Sequence, residues 1–467
     1  MCSFVVTNVL FNENTIRDAN RFSKARGPDA TKHFYDKETG INWIHNLLHI
    51  TGEKTVQPFI EESDLVFVFN GQIYNYKEFA STTSSDGYCI GNAYSSNQLL
   101  DSDGEFAIVI NDKPHNKIEV IGDAFATKPC WISIEGDKFA ICSYKSSNLA
   151  LGFSQAFKTD PNTRYVLDLG TMEIERFEIY TWDLKQFKGS FDGWCRLFDL
   201  AIKKRVENTN EKFFVGLSSG YDSGCIVSSL QQHGEIFTTY SVRAAEDVGV
   251  LKERHDRLDQ DKKHLIHMTK IDYYRHKRYI KKDCEYYCSE YYIGGNYYVV
   301  QKDKGAVGTS FVCSHAKKDG FKIYMSGHGS DEIYSDYGFQ GCPIPGFEHC
   351  DIAGLYPEEL RTCFPWKNFN GYRMIDFAYK DESVGGSYGL EVRYPFLDRA
   401  LVQEFLNIQS GLKNANYKAP LYHYLKDNDY PFAEGPQHKV GFSAKSNLIG
   451  WGGAIKIRSL GHWRKLG

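Results

Sequence analysis

Phe213-Phe214-Val215-Gly216-Leu217-Ser218-Ser219-Gly220-Tyr221-Asp222-Ser223-Gly224 is the stretch on which the fold turns. Its first five residues form an apolar run of strand length. A turn of small residues follows, and then apolar positions at 225–230 that read as a helix. Working outward, residues 236–242 and 322–325 read as further strands. Residues 192–206 carry Trp194, Leu197, Phe198, Ala201 and Ile202 at helical spacing. Strands that alternate with helices imply a parallel sheet with crossover connections.

The turn itself has chemistry. Small residues let backbone N–H groups approach an anion at a helix N-terminus, where hydroxyls and the helix dipole add to the attraction. Asp222 suits such an anion only if Mg²⁺ accompanies it. The same letters also fit a plain small-residue turn between strand and helix. Ser326-Gly327-His328-Gly329-Ser330-Asp331-Glu332 follows the strand at 322–325. Its two adjacent carboxylates suit Mg²⁺ at a strand end, or a solvated acidic turn.

Before residue 180 the pattern differs. Short apolar runs such as Leu65-Val66-Phe67-Val68-Phe69 and Phe106-Ala107-Ile108-Val109-Ile110 alternate with turn signals, among them Asn70-Gly71 and Asp103-Gly104. This predicts an antiparallel β-sandwich flanked by helices. The change of pattern near 181–190 divides the chain into domains at 1–185 and 186–467, the first strand-rich and the second α/β. The Tyr-rich stretch 286–298 reads as helix surface or pocket lining.

Composition narrows the class. The chain has 467 residues, 42% of them hydrophobic and 24% charged, with a net charge of −4. That balance gives no basic field for nucleic acid, and no run approaches the ~18 apolar residues of a membrane span. The basic segment at 456–465 reads as a solvated tail. The start, Met1-Cys2-Ser3-Phe4-Val5-Val6, lacks the basic region of a secretory signal. Twelve scattered cysteines, with Cys284 and Cys288 the one close pair, make no zinc pattern. A cytoplasmic protein is expected.

Cys2 follows the initiator methionine. If that methionine is removed, Cys2 carries both a thiol and an α-amine titrating near pH ~8, which can act as its base. A buried small residue opening a strand would look the same. Arg26-Gly27-Pro28-Asp29, Asn70-Gly71-Gln72-Ile73-Tyr74-Asn75, Asp103-Gly104-Glu105-Phe106-Ala107 and Gly122-Asp123 to Lys128-Pro129 follow in order. The Asn70 side chain and the Gly71 N–H have the makings of an oxyanion hole.

This series resembles the class II glutamine amidotransferase domain of the asparagine synthetase family. There Met-Cys, RGPD, NGEIYN, DG-F-A and D-x-x-G-x-KP occur in the same sequence. The second half continues the resemblance. Ser218-Ser219-Gly220-Tyr221-Asp222-Ser223 is similar to the S-G-G-x-D-S pyrophosphate loop of ATP pyrophosphatases. Ser326 to Glu332 is similar to S-G-E-G-A/S-D-E. Gly389-Leu390-Glu391-Val392-Arg393-Tyr394-Pro395-Phe396-Leu397-Asp398 is similar to G-x-E-x-R-x-P-F-L-D, and Lys418 stands in a K-x-x-L-R-like segment. The resemblance covers residues 2 to about 425. It implies an N-terminal nucleophile fold, a Cys2 acyl-enzyme with Asn70 and Gly71 as oxyanion donors, and ATP cleaved at the α-phosphate. Ser218, Ser219, Gly220, Asp222, Ser223 and Gly327 would hold ATP, Asp222 and Asp331 would hold Mg²⁺, and His328 and Lys418 would lie at the reacting centre. Arg393 also fits an internal ion pair.

The departures lie mostly in substrate pockets. The family's H-x-R-L-S-I reads His45-Asn46-Leu47-Leu48-His49-Ile50, so its carboxylate-gripping Arg is Leu47. The Glu of NGEIYN is Gln72, and the acid of S-D-x-E is matched to Asn97 in Ser95-Ser96-Asn97-Gln98. Each charge becomes neutral. Losing a bidentate Arg–carboxylate contact costs ~1.5–3 kcal/mol. His328 replaces a Glu in the synthetase half. The expectation is an AMP-forming amidotransferase whose partners are a small amide donor (glutamine or a relative) and a carboxylate acceptor. Aspartate leads among acceptors, and a sugar uronate or biosynthetic intermediate is the alternative. A degenerate nucleotide binder without turnover is the rival class. A homodimer is compatible with this reading.

Overall fold

The alternation of residues 65–69 is doubly apolar because both faces of that strand are covered. In the computed structural model, residues 2–438 are described apart from 62–63, 81, 84, 243–245, 294–295, 348, 370 and 372, with the backbone alone at 287–299. Two six-stranded antiparallel sheets form the first half. Phe4, Val6, Trp43, Ile132 and Ile141 of one sheet meet Val66, Val68, Val109 and Val120 of the other. The intervening positions face outward. Phe67, Phe69, Phe106 and Ile108 pack under the helix Cys89–Ser95, and Val5, Ile44 and Ala140 pack on Ala19 of the helix Glu13–Ala19. Period-2 alternation therefore separates two buried surfaces, giving a helix–sheet–sheet–helix stack.

Asn70-Gly71 punctuates nothing. The strand runs Leu65–Ile73 straight through it, with Gly71 opposite Phe106. Gly71 has φ 136°, and a Cβ there would come within 1.9 Å of the Glu105 carbonyl oxygen. Glycine is required by this close approach to the neighbouring strand, and no chain reversal is involved.

The second half holds a five-stranded parallel sheet in the order Lys263–Ile266, Thr238–Val242, Phe213–Gly216, Ile323–Met325, Glu391–Arg393. The chain starts in the middle strand, builds outward one way, then returns to build the other way. The reversal lies between Phe213–Gly216 and Ile323–Met325, so the turns leaving those two strands lie side by side at the carboxyl edge. In open α/β sheets that crevice is where ligands bind. The helices Asp192–Glu207 and Tyr221–Gln232 match their expected positions to within a few residues.

The Tyr-rich stretch is not a helix. Its backbone forms an antiparallel hairpin, Tyr287–Ile293 with Asn296–Val299. Its aromatics favour strands, and Gly294-Gly295 between them is a hairpin signal. The pocket-lining reading lies outside the described side chains, as does the basic segment 456–465. Among the described residues no helix is long and apolar enough to cross a membrane.

Buried ion pairs join the two halves. Glu382, on the helix Arg373–Ser387, accepts from Arg26 Nη2 at 2.8 Å and from Lys128 Nζ at 3.0 Å. Arg205 Nε donates to Glu105 at 2.7 Å, and Lys204 bridges Asp103 and Asp398 at 2.6 and 3.0 Å. Arg393 Nε pairs with Glu391 at 2.8 Å, the internal role the sequence allowed.

Candidate active site

Cys2 is buried, and its thiol donates to the Leu48 carbonyl at 3.9 Å. Burial raises the thiol pKa, and the N-terminal ammonium opposes that rise. Arg26 explains part of the RGPD turn. Its Nε donates to the Cys2 carbonyl at 3.0 Å while Nη2 reaches Glu382, so one guanidinium ties the backbone of Cys2 to the other half of the chain. Asn70 is 0% exposed, and neither side-chain amide atom has a hydrogen-bond partner among the described residues. Leaving such a group unsatisfied costs ~1–3 kcal/mol, which suits a donor kept for a transient oxyanion.

The structure places Leu47 and Gln72 in buried positions on neighbouring sheets, with Gln72 Oε1 accepting from Thr51 at 2.6 Å. Asn97 is not with them. It is exposed at φ 57°, just past the helix Cys89–Ser95, and the Asn97 and Gln98 N–H groups bond back to Tyr94 and Ala93. That is a left-handed helix end, for which Asn is a favoured residue. A buried acid that sequence reasoning passed over is Asp86. It is buried, accepts from the Ile73 N–H at 3.1 Å, and is close enough to Cys2 for its charge to raise the thiol pKa. Burial pushes Asp86 itself up to about 7. Ser85-Asp86 matches the first two letters of S-D-x-E directly, a signal that the alternative match at Ser95 obscured.

The nucleotide half is more complete. The Ser218 N–H and hydroxyl bond to Ser223 Oγ, both at 3.0 Å, closing the small-residue turn. The Ser219 N–H and hydroxyl both donate to Glu246 Oε2 at 2.7 Å. Gly327 allows the second motif to lie on the first, since a Cβ there would come within 2.8 Å of Asp222 Cβ. Ser330 Oγ donates to Asp222 at 2.7 Å across the same contact. Lys418, 2% exposed and left-handed at φ 48°, reaches Asp222 Oδ1 at 2.5 Å, Asp331 Oδ1 at 2.7 Å and Ser330 Oγ at 3.0 Å. Burial alone would lower its pKa, but the two carboxylates raise it above the usual lysine range.

Asp331 thus faces the site, whereas Glu332 is turned into its own loop by the Gly329 N–H and Tyr337 hydroxyl. His328 Nε2 lies 2.8 Å from the Met374 carbonyl, which only accepts, so that nitrogen carries the proton. Its Nδ1 stands 3.7 Å from Glu332. Ser218, Gly220, Asp222, Ser223, Gly327, His328 and Asp331 line one cavity of about 660 Å³. Ser219 and Lys418 line a small recess beside it.

Asp222 Oδ1 and Asp331 Oδ1 converge on Lys418 Nζ, at 2.5 and 2.7 Å, so the point they share is held by the lysine ammonium. Among the described residues no three His, Cys, Asp or Glu groups cluster as a metal cage. Two carboxylates completed by substrate phosphates is a usual setting for Mg²⁺.

Residues 1–180 match the glutamine amidotransferase domain model, and residues 194–346 match the asparagine synthase model. The candidate glutamine-hydrolysing asparagine synthetase 1 of Methanocaldococcus jannaschii is 24% identical, over 89% of this chain and 83% of that protein. Asparagine synthetase 1 of Bacillus subtilis is 24% identical over 77% of this chain, and the Mus musculus asparagine synthetase 25% over 74%. Those two matches span 64% and 65% of the relatives' own lengths. With both halves matched in the same order, the chain belongs to an asparagine synthetase-like family that joins a glutamine amidotransferase domain to an asparagine synthase domain.

Proposed function

We propose that this chain is a glutamine-hydrolysing carbon–nitrogen ligase that adenylates a carboxylate with ATP, releasing pyrophosphate, and amidates it with ammonia from an amide donor. The observation that carries this reading is the convergence of Asp222 and Asp331 on Lys418 beside the Ser218–Ser223 turn, at the edge of one cavity. The turn's N–H groups and hydroxyls bind the β,γ-phosphates, and the acceptor carboxylate attacks the α-phosphorus. Lys418 neutralises charge on the departing pyrophosphate. Asp222 and Asp331 would hold Mg²⁺, which when bound with the nucleotide supplies further neutralisation of the phosphates.

In the 1–185 domain, Cys2 Sγ attacks the donor amide carbon. Asn70 and the Gly71 N–H stabilise the oxyanion, ammonia leaves, and water hydrolyses the thioester. Ammonia then crosses into the 186–467 domain and displaces AMP from the acyl adenylate. Asp86 offers a carboxylate to the donor's ammonium, while Leu47 offers nothing to its carboxylate. Free glutamine therefore binds weakly.

Aspartate is the leading acceptor. A second reading, a larger carboxylate, is favoured by the aromatic side of the cavity. His328 meets the Phe377 ring at 6.0 Å, and Tyr337 stacks on Phe347 at 4.3 Å. The test is carboxylate-dependent pyrophosphate release, run over a panel of acids with glutamine or an ammonium salt. An acid that stimulates release identifies the acceptor. Release by none of them would remove the ligase reading and leave a nucleotide binder.

A further inference from the structure

Arg254, on the helix Val248–Asp256, is 0% exposed and stands behind the phosphate turn. Its Nη1 donates to the Ser218 carbonyl at 2.5 Å and the Gly220 carbonyl at 2.9 Å, and its Nε donates to the Pro431 carbonyl at 2.9 Å. The guanidinium lies over the Tyr430 ring at 5.2 Å. Among the described residues Nη2 is buried with no hydrogen-bond partner. It fills the space beside Gly224, where a Cβ would come within 2.4 Å of it. These partners are neutral. Arg26, Arg205 and Arg393, equally buried, each meet a carboxylate directly. The carboxylates of Glu246 and Asp222 act on the guanidinium without forming an ion pair with it, and a buried charge with no direct ion pair is unfavourable unless something else compensates it.

Peptide geometry shows what that charge does. In a planar trans peptide the C=O and the following N–H point opposite ways. By holding the Ser218 and Gly220 carbonyls on its own side, Arg254 turns the N–H groups of Ser219 and Tyr221 to the other. The Ser219 N–H already holds an anionic oxygen there, that of Glu246 at 2.7 Å. We propose that Arg254 is a positioning residue for pyrophosphate: it orients the turn's donors toward the polyphosphate, and its unpaired charge favours the anion from behind the turn without touching it. This inference rests on the proposed role of the Ser218–Ser223 turn.

The test is calorimetric binding of magnesium pyrophosphate and, separately, of adenosine to the full chain and to the Arg254→Lys and Arg254→Gln variants. Glutamine keeps N–H donors and loses the charge, whereas lysine keeps the charge. Pyrophosphate affinity is expected to fall about tenfold or more in Arg254→Gln and to be largely retained in Arg254→Lys, with adenosine binding alike in all three. Unchanged pyrophosphate affinity in Arg254→Gln overturns the proposal. So does an equal loss of both ligands in both variants, which marks a merely structural arginine. If Arg254→Gln does not fold, Gly224→Ala displaces the guanidinium with its charge intact. It should weaken pyrophosphate alone, and an unchanged affinity counts against the proposal. A wild-type chain that binds adenosine but no pyrophosphate overturns the role of the turn itself.

Discussion

The proposed donor pocket and the proposed nucleotide site depart in opposite ways from the pattern each resembles. Around Cys2 the proposed oxyanion donors Asn70 and Gly71 are present, yet of the side chains proposed to grip a donor's charged ends only one buried acid, Asp86, remains. Around Lys418 the lysine and two carboxylates interlock, while the Arg of the K-x-x-L-R pattern is Tyr422 and the Glu of the second motif is His328. A polyphosphate is recognised by charge and backbone N–H groups, so its site tolerates few neutral replacements. A small amide is placed by contacts around a fixed nucleophile, and those contacts can change without moving Cys2. On the proposed reading chemistry and substrate choice are separable, and each half can be probed alone.

The largest expected effect is Cys2→Ala. Amide-dependent turnover should vanish while ammonia-dependent AMP formation stays at the wild-type rate; equal loss of both would show that the halves cannot be separated. Glu382→Ala removes the carboxylate that meets Arg26 and leaves Lys128 the longer contact with Glu105, at 3.4 Å. It should cost ~3–5 kcal/mol in denaturant unfolding and impair both activities together. Lys418→Met leaves Asp222 and Asp331 facing each other, and AMP formation should drop ~10²–10³-fold while amide hydrolysis persists. Leu47→Arg restores a carboxylate grip, and the KM for glutamine should fall by roughly tenfold or more.

The smallest effect is on pH dependence. Burial holds Asp86 at about 7, so below that pH it is neutral and cannot pair with a donor ammonium. Donor affinity should rise as pH goes from 6 to 8, and the rise should disappear in Asp86→Asn. A slope that survives that substitution would assign the titration elsewhere.

The sheet architecture was largely legible, because the apolar periods of the two halves differ and the small-residue turn leaves only one strand–helix reading. Motif spacing also brought Ser218, Asp222, Asp331 and Lys418 to one site. What escaped has physical causes. Asn70-Gly71 reads as a turn because glycine also serves where a neighbouring backbone comes close, as Glu105 does here. Asn97 was matched by a run of serines, though its letters suit a left-handed helix end equally well. The stretch 286–298 reads as helix surface or pocket lining, whereas its aromatics and Gly-Gly pair specify a hairpin. Glu382 and Arg254 could not be found in sequence. Each lies in an ordinary helical run, and its role depends on partners far away in the chain.

The most direct test of the central claim is the identity of the nucleotide product. Purified protein given Mg²⁺, ATP, an ammonium salt and a panel of carboxylic acids should yield AMP and pyrophosphate in equal amounts, and only with particular acids. ADP and phosphate, or AMP formed at one rate whatever acid is present, would contradict it.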